Sequence, residues 1–330
     1  VASEDGVLHA LLPDGKLKWK FNAMNYKGWL RGLEGNPPSV GIDGTIYYTA
    51  GGEFNLYDMA SMEARLFAIN PDGSYKWDFL LVEDKVYFSE YAPAIGADGR
   101  IYIDNSNGSS IAFLYAFNPD GTKAWEFNTG AFTASSAVIG IDGTIYIAGS
   151  SYISPAHRFN LYALNPDGTE KWRFPRDGDN IKYGFNISTP VIGADNNIYF
   201  GTSTSSAGGS DGRLYALRPD GTEIWSNPPY LRNTGDSPPV IASDGTLFIG
   251  TNNGGSEAVY RGFLYAVNTS DFGVDNTAWP MDGQNPQRVQ RAVGFPPCTE
   301  PSITLQPADT TIVSGEAVKL TVNAAGTELS

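Results

Sequence analysis

The sequence predicts an all-β chain built from repeated four-stranded antiparallel sheets, about six of them, and three observations carry that expectation. Composition is the first: 330 residues hold 38 Gly, 21 Pro and 13% aromatic residues, with 18% charged and 41% hydrophobic. That mixture is too rich in turn formers for a helical bundle and too apolar for a disordered polymer. The second is a phrase that recurs with a Trp near its end, and the third is a different phrase that alternates with it.

The Trp phrase runs LHALLPDGKLKWKF from Leu8, LFAINPDGSYKWDF from Leu66, LYAFNPDGTKAWEF from Leu114, LYALNPDGTEKWRF from Leu161 and LYALRPDGTEIWSN from Leu214. A degraded sixth copy, LYAVNTSDFGVDNTAWP, starts at Leu264. Between these copies lie SVGIDGTIYYTA from Ser39, PAIGADGRIYID from Pro93, AVIGIDGTIYIAG from Ala137, PVIGADNNIYFGT from Pro190 and PVIASDGTLFIGT from Pro239. Each phrase is two alternating runs of β-branched and aromatic residues joined by Asp-Gly or Pro-Asp-Gly, which is a hairpin signature. Pro presets φ, Asp bonds its own backbone, and Gly takes the positive φ that closes the turn.

Two hairpins in roughly 50 residues make a four-stranded unit, the blade of a β-propeller. In order, strands A and B come from the Asp-Gly phrase and strands C and D from the Pro-Asp-Gly phrase. Ala10, Ala68, Ala116, Ala163, Ala216 and Ala266 hold one slot of strand C. Trp19, Trp77, Trp125, Trp172, Trp225 and Trp279 hold one slot of strand D; Trp29 stands outside the series. A fixed small residue with a fixed large one is a complementarity suited to packing blades face to face.

Ala…Asn-Pro-Asp-Gly…Trp resembles a shortened form of the docking motif of PQQ-like repeat propellers, the superfamily of quinoprotein alcohol dehydrogenases. The segment AWPMDGQNPQRVQRA, from Ala278, is similar to a stretch that flanks such propellers. The resemblance implies a propeller over residues 1–294, in which a small residue of one blade docks a Trp of the next. Val1-Ala2-Ser3 reads as the end of a strand B, so a first A–B hairpin is expected upstream. Residues 295–300 read as a Pro-rich linker. Residues 301–330 resemble the opening strands of a bacterial immunoglobulin-like domain, too short for a sandwich that needs about 100 residues.

Blade geometry puts the A–B and C–D turns at one end and the B–C and D–A connections at the other. The first set is uniformly short and the second long and irregular, which marks the second as the binding face. Its candidate ligand residues are Tyr26, Trp29, Arg31, Glu34, Tyr87, Tyr91, Phe132, Tyr183, Phe185 and Arg232. Aromatic rings among a few charges suit a carbohydrate or a protein partner, since both present apolar faces with polar edges. Covering the blade ends is the alternative role for any one of these rings.

Catalytic chemistry has fewer supports. The resembled dehydrogenases hold PQQ over a calcium ion, in many members with a disulfide of adjacent cysteines, whereas this chain has the single Cys298. No cofactor is expected, and neither PQQ nor calcium finds a clear seat. Asp104–Gly108 and Asp177–Asn180 faintly resemble calcium loops without the distal acidic ligand. Gly208–Gly212 matches a nucleophile-elbow spacing with no helix after it. His9 replaces an aromatic residue of the repeat, and His157 is expected alone in a loop. Loop-face carboxylates Glu34, Glu90 and Asp179 leave a glycan-active enzyme as the alternative reading.

A net charge of −14 and a pI near 4.5 argue against nucleic acid or an anionic membrane surface as partner. No apolar run reaches the ~20 residues of a spanning helix. The expectation is a non-catalytic binding or display scaffold of an exported, secreted or cell-surface bacterial protein.

Overall fold

The computed structural model describes residues 7–23, 25, 37–51, 64–82, 92–106, 112–131, 133–153, 156–175, 186–194, 196–203, 211–226, 231–232, 237–242, 244–251, 263–268, 302–305 and 323–325. Blade 1 contributes the hairpin β1 (Val7–Leu11) and β2 (Leu17–Asn22). Blade 2 runs β3 (Ser39–Val40), β4 (Ile46–Gly51), β5 (Ala64–Ile69), β6 (Tyr75–Val82), hydrogen-bonded in that order. Blade 3 repeats the order with β7 (Ala94–Ile95), β8 (Ile101–Ser106), β9 (Ala112–Phe117) and β10 (Lys123–Asn128).

Blade 4 consists of β11 (Thr133–Ala134), β12 (Val138–Ile139), β13 (Ile145–Ile153), β14 (Ala156–Leu164) and β15 (Glu170–Phe174). Blade 5 holds β16 (Asn186–Ile187), β17 (Val191–Ile192), β18 (Ile198–Ser203), β19 (Asp211–Leu217), β20 (Glu223–Ser226) and β21 (Leu231–Arg232). Blade 6 shows β22 (Val240–Ile241), β23 (Thr246–Thr251) and β24 (Phe263–Asn268). A last pair, β25 (Ser302–Leu305) with β26 (Asn323–Ala325), is antiparallel. All described pairings are antiparallel, and the chain is an all-β propeller.

The Asn-Pro-Asp-Gly-Thr phrase has a complete account at its turn. In blade 3, Gly121 donates its N–H to Asn118 O and Asn118 to Thr122 O, both at 2.9 Å, and Gly121 sits at φ +89°. That is a three-residue loop closed by a left-handed glycine. Asp120 Oδ1 accepts from the Thr122 amide at 2.9 Å and its hydroxyl at 2.6 Å, and Asn118 Nδ2 donates to the same hydroxyl. Where the A–B turn of blade 5 lacks the glycine, Asn196 takes φ 64°, a region Asn tolerates.

Indole docking joins the blades. Nε1–H donates from Trp19 to Pro71 O, Trp77 to Pro119 O and Trp125 to Pro166 O at 3.0 Å, and from Trp172 to Pro219 O at 2.9 Å. Each acceptor lies in the C–D turn of the following blade. The ring then covers that turn's glycine so closely that a Cβ on Gly73, Gly121, Gly168 or Gly221 would fall 2.6–2.8 Å from the nearest ring atom. The small residue that receives the neighbour's indole is therefore glycine.

The alanines act within their own blade. Ala68 is the register partner of both Tyr47 on strand B and Trp77 on strand D. With only a methyl between them, the Tyr47 and Trp77 rings meet at 5.8 Å. The same row holds in blades 3, 4 and 5, as Tyr102–Ala116–Trp125, Tyr146–Ala163–Trp172 and Tyr199–Ala216–Trp225. A bulkier residue at the alanine would part the rings and tilt the indole off its seat. Leu8, Trp19 and Phe21 of blade 1 pack against Tyr48, Phe67 and Ile69 of blade 2, which shows which face looks forward and which back.

Blade 2 adds a nearly buried charge pair. Arg65 is ion-paired to Asp78 with side chains 13% and 5% exposed, and the Tyr75 hydroxyl donates to the second Asp78 oxygen at 2.7 Å. A nearly buried carboxylate with two such partners is compensated rather than stranded.

Gly168→Ala is expected to destabilise by more than about 2 kcal/mol, combining left-handed strain of ~1–2 kcal/mol with a methyl driven into Trp125. Gly130 has φ +62° and open space at its Cβ position, so Gly130→Ala should carry only the strain. Calorimetric Tm values for the two variants test this, and equal shifts would remove the role given to the indole.

The turn aspartates set an acid limit. Partial burial pushes Asp43 and Asp142 up. Hydrogen bonds from Thr45 or Thr144, with Lys76 or Lys171, outweigh that and hold both below the ordinary 3.8. A depressed carboxylate stabilises fully above its unfolded value and loses that contribution as pH falls through its folded one. Stability should thus be insensitive to these groups at neutral pH and decline below about pH 4, more shallowly in the Asp43→Asn/Asp142→Asn variant. Chemical denaturation across that range reads the slope.

Candidate binding face

Strand direction fixes the two ends of the sheets. The A–B and C–D turns gather at one end, where Asp14, Asp43, Asp72, Asp98, Asp120, Asp142, Asp167, Asp220 and Asp244 each accept the amide two residues on or sit in an equivalent turn. These carboxylates are committed to local backbone, and the C–D turns also receive the indoles. The Arg100 guanidinium adds a bond to Pro166 O at 2.8 Å, so this carbonyl takes two donors from the preceding blade. Little of this end is left to adapt to a ligand.

At the opposite end the chain does something the repeats do not announce. In blade 4, β11 pairs with β13 through Thr133↔Ser150 and Ala134↔Gly149, while β12 pairs through Val138↔Tyr146 and Ile139↔Ile145. The register slips by one residue between them, which is a β-bulge. Ser135 closes it: its amide donates to Ala148 O at 2.8 Å and its Oγ accepts from Ala148 N at 3.1 Å. The hydroxyl also donates to Ser136 O at 3.0 Å.

Blade 5 repeats the device. Register slips between Asn186↔Ser203 and Val191↔Tyr199, and Ser188 donates to Gly201 O and accepts from Gly201 N, both at 2.9 Å. In blade 6 a Cβ on Gly250 would lie 3.3 Å from Ser237 Oγ, so the third serine stands at the same joint. The following Pro190 and Pro239 cannot donate to a ladder, which favours a bulge at that point. The sequence signal was a Ser three residues before strand A facing Ala148, Gly201 or Gly250; sequence reasoning missed it.

Buried hydroxyls pin the rest of this end. Ser39 Oγ donates to Pro93 O at 2.6 Å, linking blades 2 and 3, and Tyr162 OH donates to Thr129 O at 2.8 Å, linking blade 4 to the exit of blade 3. Thr129 Oγ1 in turn donates to Ala112 O at 2.7 Å. The long connections therefore leave from and return to fixed, neutral anchor points.

Of the candidate ligand residues, Arg232 lies in β21, whose partner is the start of β19 through Asp211↔Arg232. Tyr26, Trp29, Arg31, Glu34, Tyr87, Tyr91, Phe132, Tyr183 and Phe185 lie outside the described residues, as do Glu90, Asp179, Cys298 and Trp279. Three placements differ from expectation. His157 is in strand β14 opposite Tyr152, because β13 and β14, nine residues each, carry the hairpin of blade 4 through the B–C connection. Asp104, Asn105 and Ser106 belong to strand β8, and Asp211 and Gly212 open β19, so the described part of each stretch is strand. Asp104 is buried in the slot that Ala148 and Gly201 fill in other blades.

Among the described residues no three His, Cys, Asp or Glu side chains gather as a metal site, and no helix is long and apolar enough to cross a membrane. The arrangement defines a β-propeller with one structural end and one variable end. No family model matches the chain, and no curated protein does. Among solved structures it is similar to a protein of unknown function from Bacteroides caccae, at 12% identity over 67% of this chain and 74% of that one, TM-score 0.40. It is also similar to the Dos1 propeller, at 10% identity over 81% of this chain and 61% of that one, TM-score 0.45.

Ser188→Ala should leave the Gly201 amide without its acceptor, a loss of about 1–3 kcal/mol at a buried donor. Native-state hydrogen exchange at Gly201 is expected to accelerate, while the Gly121 amide, in a distant turn, keeps its rate. Unchanged exchange at Gly201 would deny the serine its sealing role.

Proposed function

We propose that the chain is a non-catalytic binding or display scaffold that takes a carbohydrate or protein partner on the face formed by the B–C and D–A connections. One observation carries this reading. The C–D turns of blades 2 to 5 are occupied by indoles, so variation is confined to the end where connections spring from serine-sealed bulges. Loops on a rigid frame are where binding residues are most freely placed.

The finer assignment is to the PQQ-like repeat propellers, supported by glycine-seated indoles that follow an Ala…Pro-Asp-Gly…Trp phrase. In this reading the propeller belongs to an exported multidomain bacterial protein and precedes an immunoglobulin-like domain. The antiparallel pair β25–β26 is compatible with the opening of such a domain. Tyr26, Trp29, Tyr183 and Phe185 supply the apolar contact surface, and Arg31, Glu34 and Arg232 the polar edges.

The test is a glycan array and a panel of purified cell-surface proteins probed with the purified chain. Retention of a ligand is expected, and Trp29→Ala/Tyr183→Ala should weaken it at least about tenfold, or ~1.4 kcal/mol, with Tm unchanged. Release of reducing ends from a polysaccharide would replace this reading with a glycan-active enzyme, and dye-linked alcohol oxidation on adding PQQ and Ca²⁺ would replace it with a dehydrogenase.

A further inference from the structure

Each of the nine turn aspartates is followed by glycine. In a loose chain an Asp-Gly step rearranges readily, because a nitrogen whose residue has no Cβ can reach the aspartate side chain. The glycine nitrogen attacks Cγ, a C–N bond forms and the side-chain carboxyl leaves as water. The cyclic imide then takes water back at either carbonyl. Opening at the α carbonyl leaves the backbone running through the former side chain, one methylene longer.

In these turns both reacting groups are engaged. All nine glycine amides donate to the carbonyl three residues back, at 2.8–3.0 Å. All nine carboxylates accept from the amide two residues on, at 2.9–3.0 Å. The carboxyl is thus drawn past the nitrogen that would attack it, toward the next one along the chain. In the C–D turns of blades 2 to 5 a hydroxyl tightens the hold, since Ser74, Thr122, Thr169 and Thr222 each donate to the same aspartate oxygen at 2.6 Å. The hydroxyl first, and the amide second, keep Asp72, Asp120 and Asp167 below the ordinary 3.8. Less of the uncharged acid, the form that loses water, is then present.

We propose that the native turns lock these nine Asp-Gly steps against isomerisation, so that each becomes a site of covalent modification only when its turn opens. The lock lies within five consecutive residues and acts turn by turn, independently of what the opposite end binds. Its failure would reach the blade joints. In blade 3 the added methylene would fall between the Pro119 carbonyl, which accepts the Trp77 indole, and Gly121, which lies beneath the ring. A chain altered there re-forms its blade without the seat.

The full chain is incubated in mildly acidic buffer, folded and in guanidinium, and isoaspartate is mapped residue by residue by fragmentation mass spectrometry. At Asp120 and Asp167 the folded chain should isomerise about a hundredfold more slowly or less, because the amide and hydroxyl bonds must open first. Thr122→Val removes the hydroxyl and keeps the amide. It should raise the folded rate at Asp120 roughly tenfold, the scale of one hydrogen bond to a charged group, and leave Asp167 unchanged. Thr169→Val should do the reverse. General loss of stability would instead raise both sites together, and that result overturns the proposal. Equal rates in the folded and unfolded unsubstituted chain also overturn it, and this comparison stands even if neither valine variant folds.

Discussion

One contact organises this molecule: an indole from strand D laid on the left-handed glycine of the next blade's turn, with its N–H on the neighbouring proline carbonyl. It needs several residues at once. Glycine is required twice over, by the sign of φ and by a ring atom 2.6–2.8 Å from where a Cβ would stand. The proline carbonyl is free to accept because the turn closes its ladder through the flanking residues instead. The alanine lets a tyrosine from strand B brace the indole from within its own sheet. A phrase that reads as mere turn grammar is thus also the socket of the following joint.

Much of this was legible before any coordinates, because a hairpin's chemistry is local. Asp-Gly and Pro-Asp-Gly between alternating runs fix turn position, strand direction and register over a few residues, and the structure follows them down to Asn196 replacing a glycine. What escaped depended on residues meeting across sheets or ladders. The spacing of Ala68 and Trp77 shows that they are related; it does not show that the alanine serves its own blade and a glycine the neighbour. Ser135 and Ala148 look unrelated in sequence until a bulge makes one hydroxyl replace a ladder carbonyl. His157 was placed in a loop since Ser-Ser-Tyr-Ile-Ser-Pro carries polar and turn-forming residues, yet cross-strand pairing extends the hairpin through it. Of the candidate ligand residues, only Arg232 falls on a described strand.

Charge follows the same division between the ends. The turn end concentrates aspartates whose carboxylates are held ionised by backbone amides and hydroxyls, so a share of the net charge of −14 is structural. The anchors of the opposite end are serine, threonine and tyrosine hydroxyls bonded within the protein. Neutral anchors hold a loop without dictating the sign of what it binds, and they are not screened by salt. Ligand preference is then left to the side chains of the connections, which can vary without disturbing docking.

Directional docking also makes the two ends of the array chemically unequal. Each blade offers a seat on one side and an indole on the other, and its stability is shared with both neighbours, as in other repeat architectures. A linear array of such units would finish with a bare apolar face at each end, and open repeat arrays commonly meet that need with polar capping units. An architecture whose ends are complementary to each other has no need of caps, because the interface that ends one series is the interface that begins it. Curvature set blade by blade through like joints is what makes such units a propeller and not a rod.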